Sequence, residues 1–159
     1  MIRRQNAFSN ADLLDEPFEY QGMKWKTVEH WYSAMKLRKE DVEGRRAIAE
    51  LVSPYAAKQA CRTAKLAREG RLRPDWCDAL RIAIMEFALR TKFAPGTSWH
   101  RKLMATRGPL VEWSRWGDVF WSMDVSTGVG HNHLGPLLTG LRDQYRLASV
   151  VAIRRRGAA

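Results

Sequence analysis

The sequence predicts an α-rich α+β fold in one domain, predominantly helical with a few short strands, and three observations lead to it. The chain has 159 residues, a length that fits one domain able to bury a core without disulfide or metal staples. Hydrophobic residues make up 45% and charged residues 28%, ordinary globular values that exclude disorder for the bulk of the chain. Apolar residues recur at helical spacing along most of the sequence, whereas strict alternation is confined to short stretches.

The elements follow in order. Phe18 to Trp25 alternates large apolar and polar residues around Gln21-Gly22, the pattern of a small hairpin. Thr27 then starts a helix in which Val28, Trp31, Tyr32 and Met35 recur at helical spacing. Lys39 to Arg46 reads as a solvated turn and helix start. Ser53-Pro54 is an N-cap followed by proline at the first helical position, predicting a helix to Glu69 that Gly70 stops. Asp75 is the next N-cap candidate, and Trp76, Leu80, Ile84, Phe87 and Ala88 trace a stripe ending near Lys92. Ala94-Pro95-Gly96 breaks that pattern before a short helix over Trp99 to Met104, and Thr106 to Pro109 is a turn. Leu110 to Trp113 and Val119 to Met123 read as strands, followed by a loop rich in Gly, His and Asn from Asp124 to Gly135. Pro136 opens a final helix through about Tyr145, Val150 to Ile153 suit an edge strand, and Arg154 to Arg156 begin a basic tail. Residues 1–150 form the expected domain and 151–159 the tail.

Charge is the unusual part of the composition. Lys and Arg number 27 against 17 Asp and Glu, a formal net charge of +10, which favours a polyanionic or phosphate-bearing partner. Cys61 and Cys77 stand alone, without a metal-binding neighbour, so idle thiols are expected and neither a structural metal nor a disulfide framework. Met1 to Asn6 leads into no apolar leader, and the longest apolar stretch, Ile82 to Leu89, contains Glu86. The expectation is a cytoplasmic protein with no membrane partner.

Several groups could carry chemistry. Glu29 lies in the first turn of its helix, where the macrodipole favours a carboxylate, although that dipole alone also accounts for a Glu there. Lys36 is seven residues on, on the same face, either functional or snorkelling over the core. Lys58, Arg62 and Lys65 fall on one face of the expected helix, and Arg81, Arg90 and Lys92 follow. Such a series is either a solvated surface or a phosphate clamp. Of seven tryptophans, Trp76 and Trp121 are best placed to line a pocket and stack on a base. Gly128, Gly130 and Gly135 permit close backbone approach in a loop feeding a helix amino end, an anion-binding arrangement. His131 and His133 flank Asn132 without a third ligand, so no metal is expected there.

The blocks Phe8-Ser9-Asn10, Thr27-Val-Glu29-His30 through Lys36, Ser53-Pro-x-x-Ala-Lys58, and Asp75-Trp76 with Met85 and Lys92-Phe93 come first. Leu103 to Thr106, Val111-Glu112, Asp118-x-Phe-Trp121, and Gly130-x-Asn132-x-Leu134-Gly135 with Arg142 complete the series. In this order and spacing the chain resembles the NADAR family of YbiA-like N-glycosidases, from Phe8 to about Arg146. The resemblance implies a single YbiA-like domain that hydrolyses an N-glycosidic bond to a phosphorylated ribose, with no metal or organic cofactor. It implies as substrate either ribosylamine phosphate intermediates of riboflavin synthesis and related ADP-ribosyl compounds, or ADP-ribose on guanine, with nucleic acid as a carrier. Ser122 departs from the glycine usual after Asp-x-Phe-Trp and bears on the adjoining pocket.

Hydrolysis of a ribosyl C–N bond passes through an oxocarbenium-like transition state, which calls for a carboxylate and a group to manage the proton. On that chemistry Glu29 is expected to activate water or stabilise the cation, and Asp118 to orient ribose hydroxyls or share the proton. Lys58, Arg62 and Lys92 would hold phosphate, Trp76 and Trp121 would stack on the base, and Asn132 with Gly130 and Gly135 would shape the sugar site. Asn10, Tyr32 and Lys36 complete the expected binding set. The competing classes are a non-enzymatic nucleotide or nucleic-acid-binding module and a scaffold that keeps only the fold.

Overall fold

The computed structural model describes residues 8–157. Met1 to Asn6 and the last two residues of the basic tail lie outside the described residues. In order, β1 (Leu13–Tyr20), β2 (Met23–Thr27), α1 (Val28–Ala34), α2 (Val42–Glu50), α3 (Pro54–Ala60), α4 (Thr63–Arg68) and α5 (Asp78–Lys92) are followed by α6 (Ser98–Met104), β3 (Trp113–Ser114), β4 (Met123–Asp124) and α7 (Leu134–Gly157). The fold is thus α+β and predominantly helical. The chain divides into two compact units, Ser9–Ala94 and the part from Pro95 onward together with Phe8.

In the amino-terminal unit, Gln21 and Gly22 both have positive φ, 52° and 71°, as a two-residue hairpin turn of the primed kind requires. β1 and β2 pair antiparallel with Phe18 opposite Trp25, and the register shifts between Leu13 and Phe18, around Pro17, which has no N–H for the ladder. Thr27 ends the hairpin and caps α1, its hydroxyl accepting from the His30 amide at 3.2 Å. His30 Nε2 donates to the Leu51 carbonyl at 3.0 Å, so Nδ1 accepts from the Thr27 hydroxyl at 2.8 Å. Helix α1 is enclosed: Trp25, Val28 and Ala34 are fully buried, and Trp31 stacks on Phe87 of α5 with ring centroids 5.2 Å apart.

Two expectations change here. The helix expected from Ser53 to Glu69 is two helices, with Cys61 as the C-cap of α3 and Arg62 as the N-cap of α4. The Cys61 carbonyl, at the break, accepts from the Lys36 ammonium at 3.2 Å. Lys58, Arg62 and Lys65 therefore do not share one helix face. Asp75 is not an N-cap either: its carboxylate is forked on Arg73 at 2.6 and 2.7 Å, and Cys77 occupies the cap of α5.

In the carboxy-terminal unit, Thr97 caps α6 by accepting from the His100 amide at 2.9 Å. Arg142 of α7, 3% exposed, donates to Thr106 Oγ1 and the Gly108 carbonyl, and Arg146 to the carbonyls of Met104 and Thr106, closing the turn after α6. The two expected strands are much shorter, β3 and β4 pairing in parallel over two residues each. Val119 to Ser122 is a turn, because the Asp118 carboxylate accepts from the Trp121 amide and the Ser122 hydroxyl donates to the Asp118 carbonyl. Helix α7 begins at Leu134, earlier than Pro136, and continues through Val150 to Ile153, which are helical and not an edge strand. Intrahelical bonding carries them on, and strand propensity counts for little without a partner strand.

Candidate active site

From Thr27 to Leu37 every residue is buried except two, Glu29 and Lys36, which are partly exposed. A segment enclosed on all sides belongs to the core, so its accessible ionisable groups are the informative exceptions: Glu29 in the first turn of α1, and Lys36 two residues past its end at Ala34. They lie seven residues apart, with Ser33 between them in sequence. Ser33, itself fully buried, donates from Oγ to Glu29 Oε1 at 3.0 Å.

The backbone around this face is tied from several directions. The Glu29 amide donates to the Asn10 carbonyl at 2.8 Å. Lys92, 1% exposed, donates from Nζ to the Ser9 carbonyl at 2.6 Å and so secures the same segment. Lys92, expected to hold phosphate, is thus an internal support of the strap beneath Glu29; its ammonium faces inward. Asn10 Nδ2 meets Met85 Sδ at 3.5 Å, and Asn10 Oδ1 is buried without a hydrogen-bond partner among the described residues.

Lys36 reaches the Cys61 carbonyl and lies 5.1 Å from the centre of the Tyr32 ring. Burial lowers its pKa from the ordinary lysine value of 10.5; Glu29 and Cys61 oppose the shift, and the positive charges of Lys58 and Arg81 add to it. The ammonium is accordingly a readier proton donor than a solvated lysine. Tyr32 in turn meets Trp76 with ring centroids 5.9 Å apart and planes tilted by 59°. Lys58 and Arg62 are exposed, and Arg81 pairs with Asp78 at 2.9 Å. Burial pushes the Cys61 thiol up to about 11, which leaves it an unreactive thiol at neutral pH.

The second group of expected residues lies in the carboxy-terminal unit. Asp118 Oδ1 accepts from the Trp121 amide at 3.1 Å, and Ser114 Oγ accepts from the amides of Trp116 and Asp118. Trp121 meets Phe120 edge-on at 4.8 Å, Phe120 meets His133 at 4.5 Å, and His133 stacks on His131 at 5.5 Å. Asn132 has positive φ, 49°, and its side chain is committed to backbone: Oδ1 accepts from the Glu112 amide at 2.9 Å and Nδ2 donates to the Leu110 carbonyl at 3.3 Å. A Cβ on Gly130 would come within 2.1 Å of the Ser122 carbonyl, and one on Gly135 within 2.1 Å of the Leu110 carbonyl. These glycines serve close backbone approach. Ser122 stands beside both Asp118 and Gly130, and its side chain is taken up by the Asp118 carbonyl.

Sequence reasoning missed Ser33, Arg73 and Arg45. Ser33 sits four residues after Glu29, the spacing at which helical side chains meet, so it had a local signal. Arg73 acts on the Met35 carbonyl 38 residues away, and Arg45 on the Leu37 carbonyl across the turn before α2, with no helical spacing to signal either. Among the described residues, no group of three or more His, Cys, Asp or Glu is placed to hold a metal ion, and no helix is long and apolar enough to cross a membrane.

Comparison with known proteins adds four findings. The family model described as the NADAR domain matches residues 4–146. The protein named N-glycosidase YbiA of Escherichia coli is 34% identical over 129 residues, 80% of this chain and 75% of the relative. The chloroplastic riboflavin biosynthesis protein PYRR of Zea mays is 30% identical over 147 residues, 87% of this chain and 23% of that longer protein. The NMR structure of Escherichia coli YbiA superimposes with a TM-score of 0.69 at 32% identity, covering 84% of this chain and 75% of that one.

Proposed function

The chain belongs to the NADAR family, whose relatives include curated N-glycosidases, and from that premise we propose that it hydrolyses the N-glycosidic bond between a phosphorylated ribose and a base-like amine. The observation that carries the reading is the enclosed segment from Thr27 to Leu37, whose accessible residues are one carboxylate, which accepts from Ser33, and one ammonium whose pKa burial lowers.

In the reaction the bond from ribose C1′ to nitrogen breaks, a water oxygen adds at C1′, and a proton reaches the departing nitrogen. Glu29 stabilises the oxocarbenium-like cation or takes the proton from water. Lys36, whose proton is held less tightly than usual, supplies the positive charge and the proton on the leaving side. Lys58, Arg62 and Arg81 offer phosphate ligands, and Trp76, backed by the buried Tyr32, offers an aromatic face to the base. In the carboxy-terminal unit, Asp118 is the carboxylate assigned to ribose hydroxyls or to sharing the proton, and Trp121 is its aromatic neighbour.

Relatives named for riboflavin biosynthesis favour a small ribosylamine phosphate or a related ADP-ribosyl compound as substrate. The net charge of +10 favours a second reading, removal of ADP-ribose from guanine in DNA or RNA. The test offers the purified protein both, ribosylamine phosphate intermediates in one reaction and guanine-linked ADP-ribose on a DNA oligonucleotide in the other, and follows release of the free base or amine. Cleavage of the first alone supports the metabolite reading, and cleavage of the oligonucleotide alone supports the second. Tight, salt-sensitive binding without turnover of either would replace both with a binding module.

A further inference from the structure

We infer that Arg73, locked by Asp75 and seconded by Arg45, is a positioning residue that fixes both Lys36 and Trp76 for the chemistry proposed above. Helix α1 ends at Ala34 with Met35 as its C-cap, and a helix end leaves carbonyls that no helical amide reaches. Here three in succession are met by two arginines. Arg73 Nη1 donates to the Met35 carbonyl at 3.3 Å, the Arg73 amide to the Lys36 carbonyl at 2.9 Å, and Arg45 Nη2 to the Leu37 carbonyl at 3.0 Å. The Arg38 amide donates to the Arg71 carbonyl, and Leu37 bridges Leu72 antiparallel, so the backbone on both sides of Lys36 is held like a strand. Cations at this end of α1 also complement its dipole.

The other edge of the Arg73 guanidinium forms the two-point fork with Asp75. The Trp76 amide donates to the Arg73 carbonyl at 3.2 Å, so the turn closed by that fork is the one that presents Trp76 to Tyr32. A single side chain therefore ties together the carbonyl before Lys36 and the turn carrying Trp76, while its amide holds the carbonyl of Lys36.

The device is expensive in desolvation. Arg73 is 8% exposed, Arg45 is 3% exposed, and Arg45 Nε is buried without a partner among the described residues. Packed apolar side chains could join α1 to the 71–73 segment with less desolvation. What only a guanidinium supplies is directional bonding to a carbonyl on one edge and a carboxylate on the other.

The test compares Arg73→Lys, Arg73→Met and Asp75→Asn with the unaltered chain. Lysine keeps the charge and loses the fork, so Arg73→Lys guards against a methionine variant that fails to fold. One readout is the NMR titration of Lys36 in lysine-labelled protein, since Glu29 on α1, Lys58 and Cys61 at α3, and Arg81 on α5 surround that amine. The other is kcat and KM on whichever substrate is cleaved. Arg73→Lys and Asp75→Asn are expected to fold, to return the Lys36 titration toward 10.5, and to lower kcat by about tenfold or more, the cost of a modest misplacement. A lower melting temperature with the Lys36 titration unmoved would make Arg73 a purely structural support and overturn the inference, as would unchanged kcat with unchanged titration. The kinetic arm rests on the proposed function, and the titration does not. If no substrate is cleaved, that reading fails, and movement or stillness of the Lys36 titration still decides the role of Arg73.

Discussion

The two places where the chain gathers polar side chains are built on opposite plans. Around α1 the backbone is satisfied by capping, by the Asn10 carbonyl and by two buried arginines, and Glu29 on the helix and Lys36 just past its end are left accessible in an enclosed segment. In the stretch from Asp118 to Gly135 regular structure is nearly absent, and polar side chains must supply what a sheet would. Asn132 brackets Leu110 and Glu112, Ser114 and Asp118 cap a turn, and Gly130 and Gly135 admit neighbouring carbonyls. A polar residue is a better candidate for chemistry where the backbone does not need it. By that criterion the first region leaves Glu29 to the proposed chemistry, Lys36 also meeting the Cys61 carbonyl, and the second uses most of its side chains to hold a loop.

The largest expected effect strikes the first region. Glu29→Gln is isosteric and keeps an acceptor for Ser33, so the fold should persist while kcat falls by about two orders of magnitude or more, roughly 2.7 kcal/mol of transition-state stabilisation. Steady-state kinetics paired with a thermal melt checks this. A folded Glu29→Gln variant with near-normal turnover would remove Glu29 from the mechanism and erase the contrast between the regions.

Asn132→Ala sharpens the comparison from the other side. It strips partners from the Glu112 amide and the Leu110 carbonyl at once, and the expected cost is about 2 kcal/mol of stability, read by chemical denaturation. Gly135→Ala should be at least as damaging, since its methyl would press on the Leu110 carbonyl and the Asn132 amide. Unchanged stability with lost activity would return Asn132 to the role of a sugar-contacting residue.

Much of the first region was legible in the sequence, and the reason is that its signals are local. Gln21-Gly22 sets a hairpin turn, Thr27 and Ser53 cap the helices after them, and Glu29 falls in the first turn of the helix that Thr27 starts. What misled was chemistry acting over distance. Asp75 looked like a cap until Arg73 claimed its carboxylate, and the helix from Ser53 ran on in the pattern because nothing local announces Lys36 at the Cys61 carbonyl, 25 residues away. The second region was less legible because the β-branched and aromatic run from Val119 to Met123 imitates a strand, while Asp118 and Ser122 turn the backbone there. Lys92 shows the same limit: its position invited a phosphate role, and its bond to the Ser9 carbonyl, 83 residues away, has no local signal.

A smaller effect separates the two tryptophans. Trp76→Leu removes the ring that meets Tyr32 beside Lys36, and base stacking of about 1–3 kcal/mol translates into a rise in KM of roughly tenfold, with little change in melting temperature. Trp121→Leu removes a ring set edge-on to Phe120 and 6.5 Å from His133, rings that brace the loop, so it should lower the melting temperature too. Equal losses of stability in both variants would mean that Trp76 is core and not substrate-facing.

The smallest expected effect tests the cap that starts α1. Burial lowers the pKa of His30 from 6.5, more than its bond to Leu51 raises it, and Lys26 lowers it further. The unfolded chain therefore takes up a proton near pH 6.5 and the folded chain only at lower pH. The stability held by neutral His30 is complete above about pH 6.5 and declines as the pH falls toward the folded value. A charged imidazole also loses the Nδ1 acceptor on which the Thr27 hydroxyl depends, so acid should loosen the amino end of the helix that carries Glu29. Melts at pH 7.5 and pH 5 should show a drop in the unaltered chain and a smaller drop in His30→Gln, whose amide cannot titrate. An equal drop in both would place the acid-sensitive group elsewhere and leave the Thr27–His30 pair a cap without a titration.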